Sequence, residues 1–100
     1  MTTPTATGSQ TAPLTISEIK IRLIDPTPNG IIAFASCIVN GGLFLNNVEI
    51  HRGEEGGVYL RYPIGFSKNG GRHFYWNPLN RETGEQFDEA ILGRLRAMGV

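Results

Sequence analysis

One hundred residues are enough for one small domain with a modest core, and a hydrophobic content of 40% with 18% charged residues is globular rather than disordered or membrane-spanning. Nine basic residues offset nine acidic ones, so no global field draws the chain to polyanions or lipid, although a local basic face is compatible with that balance. The lone cysteine, Cys37, excludes an intrachain disulfide, and with 13 glycines the chain reads as turn-rich and mostly β.

Residues 1–14 are rich in Thr, Ala, Pro and Gly without a charged side chain, and are expected to form a disordered tail; residues 15–100 are expected to form the single domain. The N-terminus lacks the basic and apolar regions of a secretion signal, and no apolar run approaches the ~18 residues of a membrane span, so a cytoplasmic location is expected. Ile16–Ile24 alternates, with Ile19, Ile21 and Leu23 on one face and Glu18, Lys20 and Arg22 on the other, which predicts a half-solvated strand. Asp25-Pro26-Thr27-Pro28-Asn29-Gly30 is a dense turn signal.

Ile31–Val39 follows as an uncharged run. It predicts a strand covered on both faces, or covered on one face and pressed against a partner chain. Asn40-Gly41-Gly42 supplies the left-handed residues of a tight hairpin. In the next strand, Leu43–Ile50, simple alternation sets Leu43 and Leu45 on one face and Phe44, Val48 and Ile50 on the other, with Asn46-Asn47 marking a bulge. Gly53–Gly57 breaks the chain before a fourth strand at Val58–Tyr62. Ile64–Gly71 reads as a loop or a long hairpin tip, and Arg72–Leu79 as a fifth extended segment ended by Pro78.

The last segment changes period. Phe87, Ile91, Leu95 and Met98 form the apolar stripe of a helix, Thr83 and Gln86 have capping-box spacing, and Gly99 is its stop. Glu85, Asp88 and Glu89 fall early and Arg94 and Arg96 late, as the helix dipole favours. The expected fold is α+β: a curved antiparallel sheet of about five strands closed on one face by a C-terminal helix. The apolar central strand has more face than one helix covers, so a homodimer through sheet contacts is expected.

Taken in order, Ile16–Leu23, Ala33–Ser36, Leu43–Gly53, Gly57–Pro63, Asn77–Asn80 and Ala90–Leu92 give the chain a collinear likeness to a bacterial family. The sequence resembles the SpoVG family, the stage V sporulation protein G or septation protein homologues, over residues 16–95. The resemblance implies a small dimeric α+β fold and a cytoplasmic regulator that binds DNA, in some cases RNA, and influences septation, sporulation or virulence genes. It implies no enzymatic activity. Two stretches depart from the family pattern: IGFSKNGG at Ile64–Gly71, and Gly84 near where relatives often carry a basic residue.

From the residues themselves, the nucleic-acid candidates are Arg52, Arg61, Lys68, Arg72, His73 and Arg81, a stretch in which Glu54 and Glu55 are the sole acids. Phosphate contacts are short-ranged at physiological salt, so local cations suffice despite zero net charge. Tyr59, Tyr62, Phe74, Tyr75 and Trp76 are interleaved with them. They read either as stacking platforms for unpaired bases or as core and interface residues beside an ordinary solvated face. Arg94 and Arg96 read as complements to the helix dipole.

Other chemistry finds little support. His51 and His73 have no second cysteine or carboxylate cluster at ligand spacing, so no metal is expected. Glu54-Glu55 reads as solvated turn charge, Cys37 as a small core residue, and GFSKNGG lacks the ending of a phosphate loop. No nucleophile–base arrangement can be drawn, so neither an enzyme nor a cofactor is expected. The competing reading is a protein–protein module at the division machinery, favoured by the neutral charge and the apolar stretch VYLRYPIGF.

Overall fold

The computed structural model describes residues 13–99. Its main sheet is an antiparallel meander in the order β1 (Ile16–Leu23), β2 (Ile31–Val39), β3 (Leu43–Arg52), β4 (Val58–Arg61). A separate two-stranded hairpin follows, β5 (Ile64–Phe66) with β6 (Arg72–Phe74). The chain ends in a helix of three continuous pieces: α1 (Arg81–Phe87), a π-helical turn (Asp88–Leu92) and α2 (Gly93–Ala97). The α+β expectation holds. Arg72–Leu79 is not a single extended segment, however: β6 stops at Phe74 and pairs with Ile64–Phe66, so that of the two readings of Ile64–Gly71 the hairpin is the one observed.

The turns form where the sequence places them. Asn40 and Gly41 both have positive φ, 53° and 68°, the conformation that joins two right-twisted strands, and the Gly42 amide donates to the Val39 carbonyl. At the β1–β2 turn, Gly30 has φ 95° and its carbonyl accepts from the Arg52 amide at 2.9 Å. Asn40 also ties down the start of the domain: its Oδ1 accepts from the Thr15 amide, and its own amide donates to the Thr15 carbonyl. Leu14 packs on the core as well, and the rest of the expected tail, residues 1–12, lies outside the described residues.

Bulges decide which side chains point inward. Asn46 and Asn47 together oppose Ser36, with Asn47 at φ 64°, so the expected bulge is present. It re-phases β3: Leu43, Leu45, Val48 and Ile50 share the inner face and Phe44 points out, which corrects the simple alternation. A second bulge at Glu18, φ 49°, does the same in β1 and brings Ile16 and Ile21 to one face.

Inside, Ala33, Ala35, Cys37 and Val39 of β2 meet Val48 and Ile50 of β3, and Phe87, Ile91 and Leu95 of the helix complete the core. Each fully buried aliphatic side chain contributes about 1.5–3 kcal/mol. The small residues of β2 leave room for the bulky helix side chains, and burial pushes the Cys37 thiol pKa up, as suits a core residue. Phe87, Ile91 and Leu95 recur every fourth residue, a spacing that drifts around an α-helix by about 40° per step. The wider π-turn takes up that drift and keeps all three inward.

Two details of the helix differ from expectation. Met98 caps the C-terminus, 40% exposed, rather than continuing the stripe, and Gly99 at φ 84° stops the helix. Thr83 and Gln86 form no capping box. Asn80 is the N-cap and its Oδ1 accepts from the Thr83 amide at 2.9 Å, while the Gln86 side chain accepts from the Leu14 amide instead.

Candidate nucleic-acid interface

The six candidate side chains are Arg52, Arg61, Lys68, Arg72, His73 and Arg81, and all are exposed. Arg61 ends β4, directly across from Glu49. Arg72 and His73 begin β6, paired with Phe66 and Gly65. The hairpin loop between them is closed by the Ser67 amide donating to the Gly71 carbonyl at 2.7 Å, with Gly70 at φ 86° and Lys68 at its tip.

The fold brings two of these cations together. Arg61 and Arg72 line one groove of about 210 Å³ with Glu49, Leu60, Tyr62, Ile64 and Phe74. Arg72 and His73 also border an adjoining cleft against Ile64 and Phe74. Arg52 is separated from Arg61 by the length of β4, about 10 Å at strand spacing, and its Nη1 donates to the Gly56 carbonyl at 3.0 Å. Arg81 begins α1 and borders neither cavity. The candidates therefore form a pair with neighbours rather than one continuous stripe.

Their availability is an electrostatic matter. Among the described residues the one acid–base contact within 4.0 Å joins Glu49 to His51, Oε1 to Nε2 at 2.8 Å. No arginine or lysine among the described residues has to break an ion pair before it meets a phosphate. His51 itself is buried, stacked on the Tyr59 ring at 5.4 Å, with Nδ1 lacking a hydrogen-bond partner.

The interleaved aromatics divide. Tyr62 and Trp76 belong to the covered side, edge-on to each other at 5.2 Å and both against Phe87. Burial raises the Tyr62 phenol pKa, and the nearby Asp88 and Cys37 raise it further, so the hydroxyl stays neutral. Those two are core residues, not stacking platforms. Tyr59, Phe74 and Tyr75 are exposed, as is Phe66 on the same hairpin, which the sequence reading passed over. Tyr75 lies over Gly65 so closely that a Cβ there would meet its ring at 2.6 Å, which explains a glycine within β5.

A second group escaped the sequence reading because it lies far earlier in the chain. Lys20, Arg22, Phe34 and Phe44 all stand on the outer face of the main sheet, the face away from the helix. The alternation of Glu18–Arg22 already placed two of these cations in solvent. What alternation could not supply was their register with Phe34 and Phe44.

Elsewhere, an apolar groove of about 310 Å³ runs between Leu43, Leu45, Trp76, Pro78 and Leu79, with Leu79 93% exposed. Among the described residues no three His, Cys, Asp or Glu side chains cluster at ligand distance, and no helix is long and apolar enough to cross a membrane. No protein-family model matches the chain, and no curated protein matches it.

Proposed function

We propose that this chain is a non-enzymatic, nucleic-acid-binding regulator of the SpoVG type, acting in the cytoplasm on septation, sporulation or gene expression. The single observation that carries the reading is the groove in which Arg61 and Arg72 come together, unpaired, beside Phe74. Lys68 and His73 extend the same hairpin into solvent. The α+β fold agrees with what the resemblance implies, and an open strand edge at β1 is compatible with pairing to a second copy.

Binding of this kind is mostly electrostatic, with cations positioning the backbone and few groups reading bases. Arg72→Ala and Lys68→Ala should each weaken binding about equally across oligonucleotide sequences and lower the salt slope by about one. Fluorescence anisotropy at two salt concentrations measures both quantities. Unchanged affinity in both variants removes the hairpin from the interface.

A protein–protein module is the second reading, and the exposed Leu79 and Leu43 on the apolar groove favour it. Ionic strength separates the two. Nucleic-acid binding falls steeply as salt rises, whereas docking in an apolar groove hardly responds.

A further inference from the structure

The outer face of the main sheet is not accounted for by the Arg61–Arg72 groove. Because cross-strand partners share a face, the register sets Arg22, Phe34, Glu49 and Arg61 in one row across all four strands. The next row holds Lys20 against Ser36, and the one beyond it holds Ile38 against Phe44. Arg22 lies over the Phe34 ring at 5.3 Å, and Phe44 is 62% exposed. A shallow depression of about 240 Å³ lies between Lys20, Arg22, Phe34, Ser36, Phe44 and Asn47.

We propose that this face binds single-stranded nucleic acid, with an unpaired base stacking on the exposed Phe44 ring and the backbone held by Lys20, Arg61 and Arg22, the last seated on the Phe34 ring. The inference rests on the nucleic-acid reading above and names the strand state that it takes. An exposed aromatic ring on a sheet, here Phe44, offers its face to a base, and only a strand whose bases are unpaired presents free π-faces in return. The charge on the face matches that ligand. Lys20, Arg22 and Arg61 are exposed cations, and the acid in their midst, Glu49, is held by His51. The other nearby acid, Glu18, leaves the ladder at its bulge.

A second copy of this chain stacked on the same face fits less well. Stacking two copies face to face would take Lys20, Arg22 and Arg61 of each out of water against a row whose one acid is Glu49. A nucleic-acid strand instead brings the countercharge with it. The face also reaches the groove, because Arg61 belongs to both, so a strand crossing the sheet from β1 to β4 arrives at Arg72.

The test uses the full chain and labelled DNA and RNA of about ten nucleotides, single-stranded or annealed, titrated by anisotropy at about 50 mM and about 200 mM salt. Single strands should bind, and Phe44→Ala should weaken them about tenfold while leaving any duplex binding unchanged. Lys20→Ala with Arg22→Ala should weaken single-strand binding and lower its salt slope by roughly 1.4. Phe44→Trp should keep the affinity and add indole fluorescence that a stacked base quenches, a readout that survives should Phe44→Ala fail to fold. If Phe44→Ala and the Lys20/Arg22 double variant bind like wild type while Arg72→Ala is impaired, the sheet face is overturned and the groove reading stands. If wild type binds neither strand form at low salt, both fall. If light scattering shows that Phe44→Ala turns a dimer into a monomer, a second copy occupies the face and the proposal fails.

Discussion

The inner face of β2 carries Ala33, Ala35, Cys37 and Val39 beneath the helix, all nearly inaccessible; the outer face of the same strand carries Phe34, Ser36 and Ile38, each half-buried. One uncharged run thus serves two purposes. The inner side chains are small because bulky helix residues must reach them, whereas the outer ones, Phe34, Ser36 and Ile38, follow no such size limit and stand beside the cations of β1. A uniformly apolar strand does not by itself imply burial on both sides. Its neighbours matter too, and here Lys20 and Arg22 stand next door on the outer side.

The largest effect that could sharpen this contrast comes from matched truncations. Ile50→Ala, at the centre of the inner face, should cost about 3 kcal/mol, lowering the melting temperature by roughly 15 °C. Ile38→Ala, on the outer face, should cost less than about 1 kcal/mol, because its side chain is already half in water. Thermal melts of both variants by circular dichroism measure the difference. Equal losses would break the comparison and show the outer face covered in solution by another chain.

A smaller loss is expected where the outer face does close. Above His51 the β1–β2 turn folds over the sheet, and Gly30 sits at φ 95° with its missing Cβ aimed 3.1 Å from the Arg52 carbonyl and 3.7 Å from His51 Nδ1. Gly30→Ala combines a left-handed backbone with a tight contact to main chain that cannot swing aside. It should cost about 2 kcal/mol in a urea titration. Phe44, solvent-exposed on the same face, has no such constraint, so an equally small loss at both positions would mean that the turn does not clamp His51.

Much of this was legible beforehand, for reasons tied to particular residues. Asn40-Gly41 and Gly30 could be placed because their φ angles suit few other residue types, and the Asn46-Asn47 bulge could be placed because two polar residues interrupt an apolar alternation. Which side chains the bulge turns inward was not legible, since a one-residue insertion reverses every later position. The helix was visible in its apolar period, but Thr83 and Gln86 are compatible with a capping box that Asn80 pre-empts from three residues earlier. Of the candidate site, the clustering of Arg61 with Arg72 depended on how the β5–β6 hairpin docks beside β4. Local sequence does not encode that. Tyr62 and Trp76 could not be told from Phe74 and Tyr75 for the same reason.

The smallest effect concerns the rim of the inner face, at Asp88. Partial loss of water raises its carboxyl pKa, and the neighbouring Glu85 charge raises it further. An acid whose pKa is higher folded than unfolded binds its proton more tightly in the native state. Folding therefore takes up protons as pH falls through the window between the two values, and stability declines as pH rises through it. Asp88→Asn removes that decline. The melting temperature of the variant minus that of wild type should shift in the variant's favour between pH about 3, where both side chains are neutral, and pH about 7, by no more than a few degrees. Lys68, at the tip of the β5–β6 hairpin between Ser67 and Asn69, offers the control: Lys68→Gln removes no group that titrates in this range, and its difference from wild type should change far less over the same interval. A flat or reversed trend for Asp88→Asn would mean that its carboxylate is fully hydrated, and that the helix seals the inner face less tightly at this edge than at Ile91.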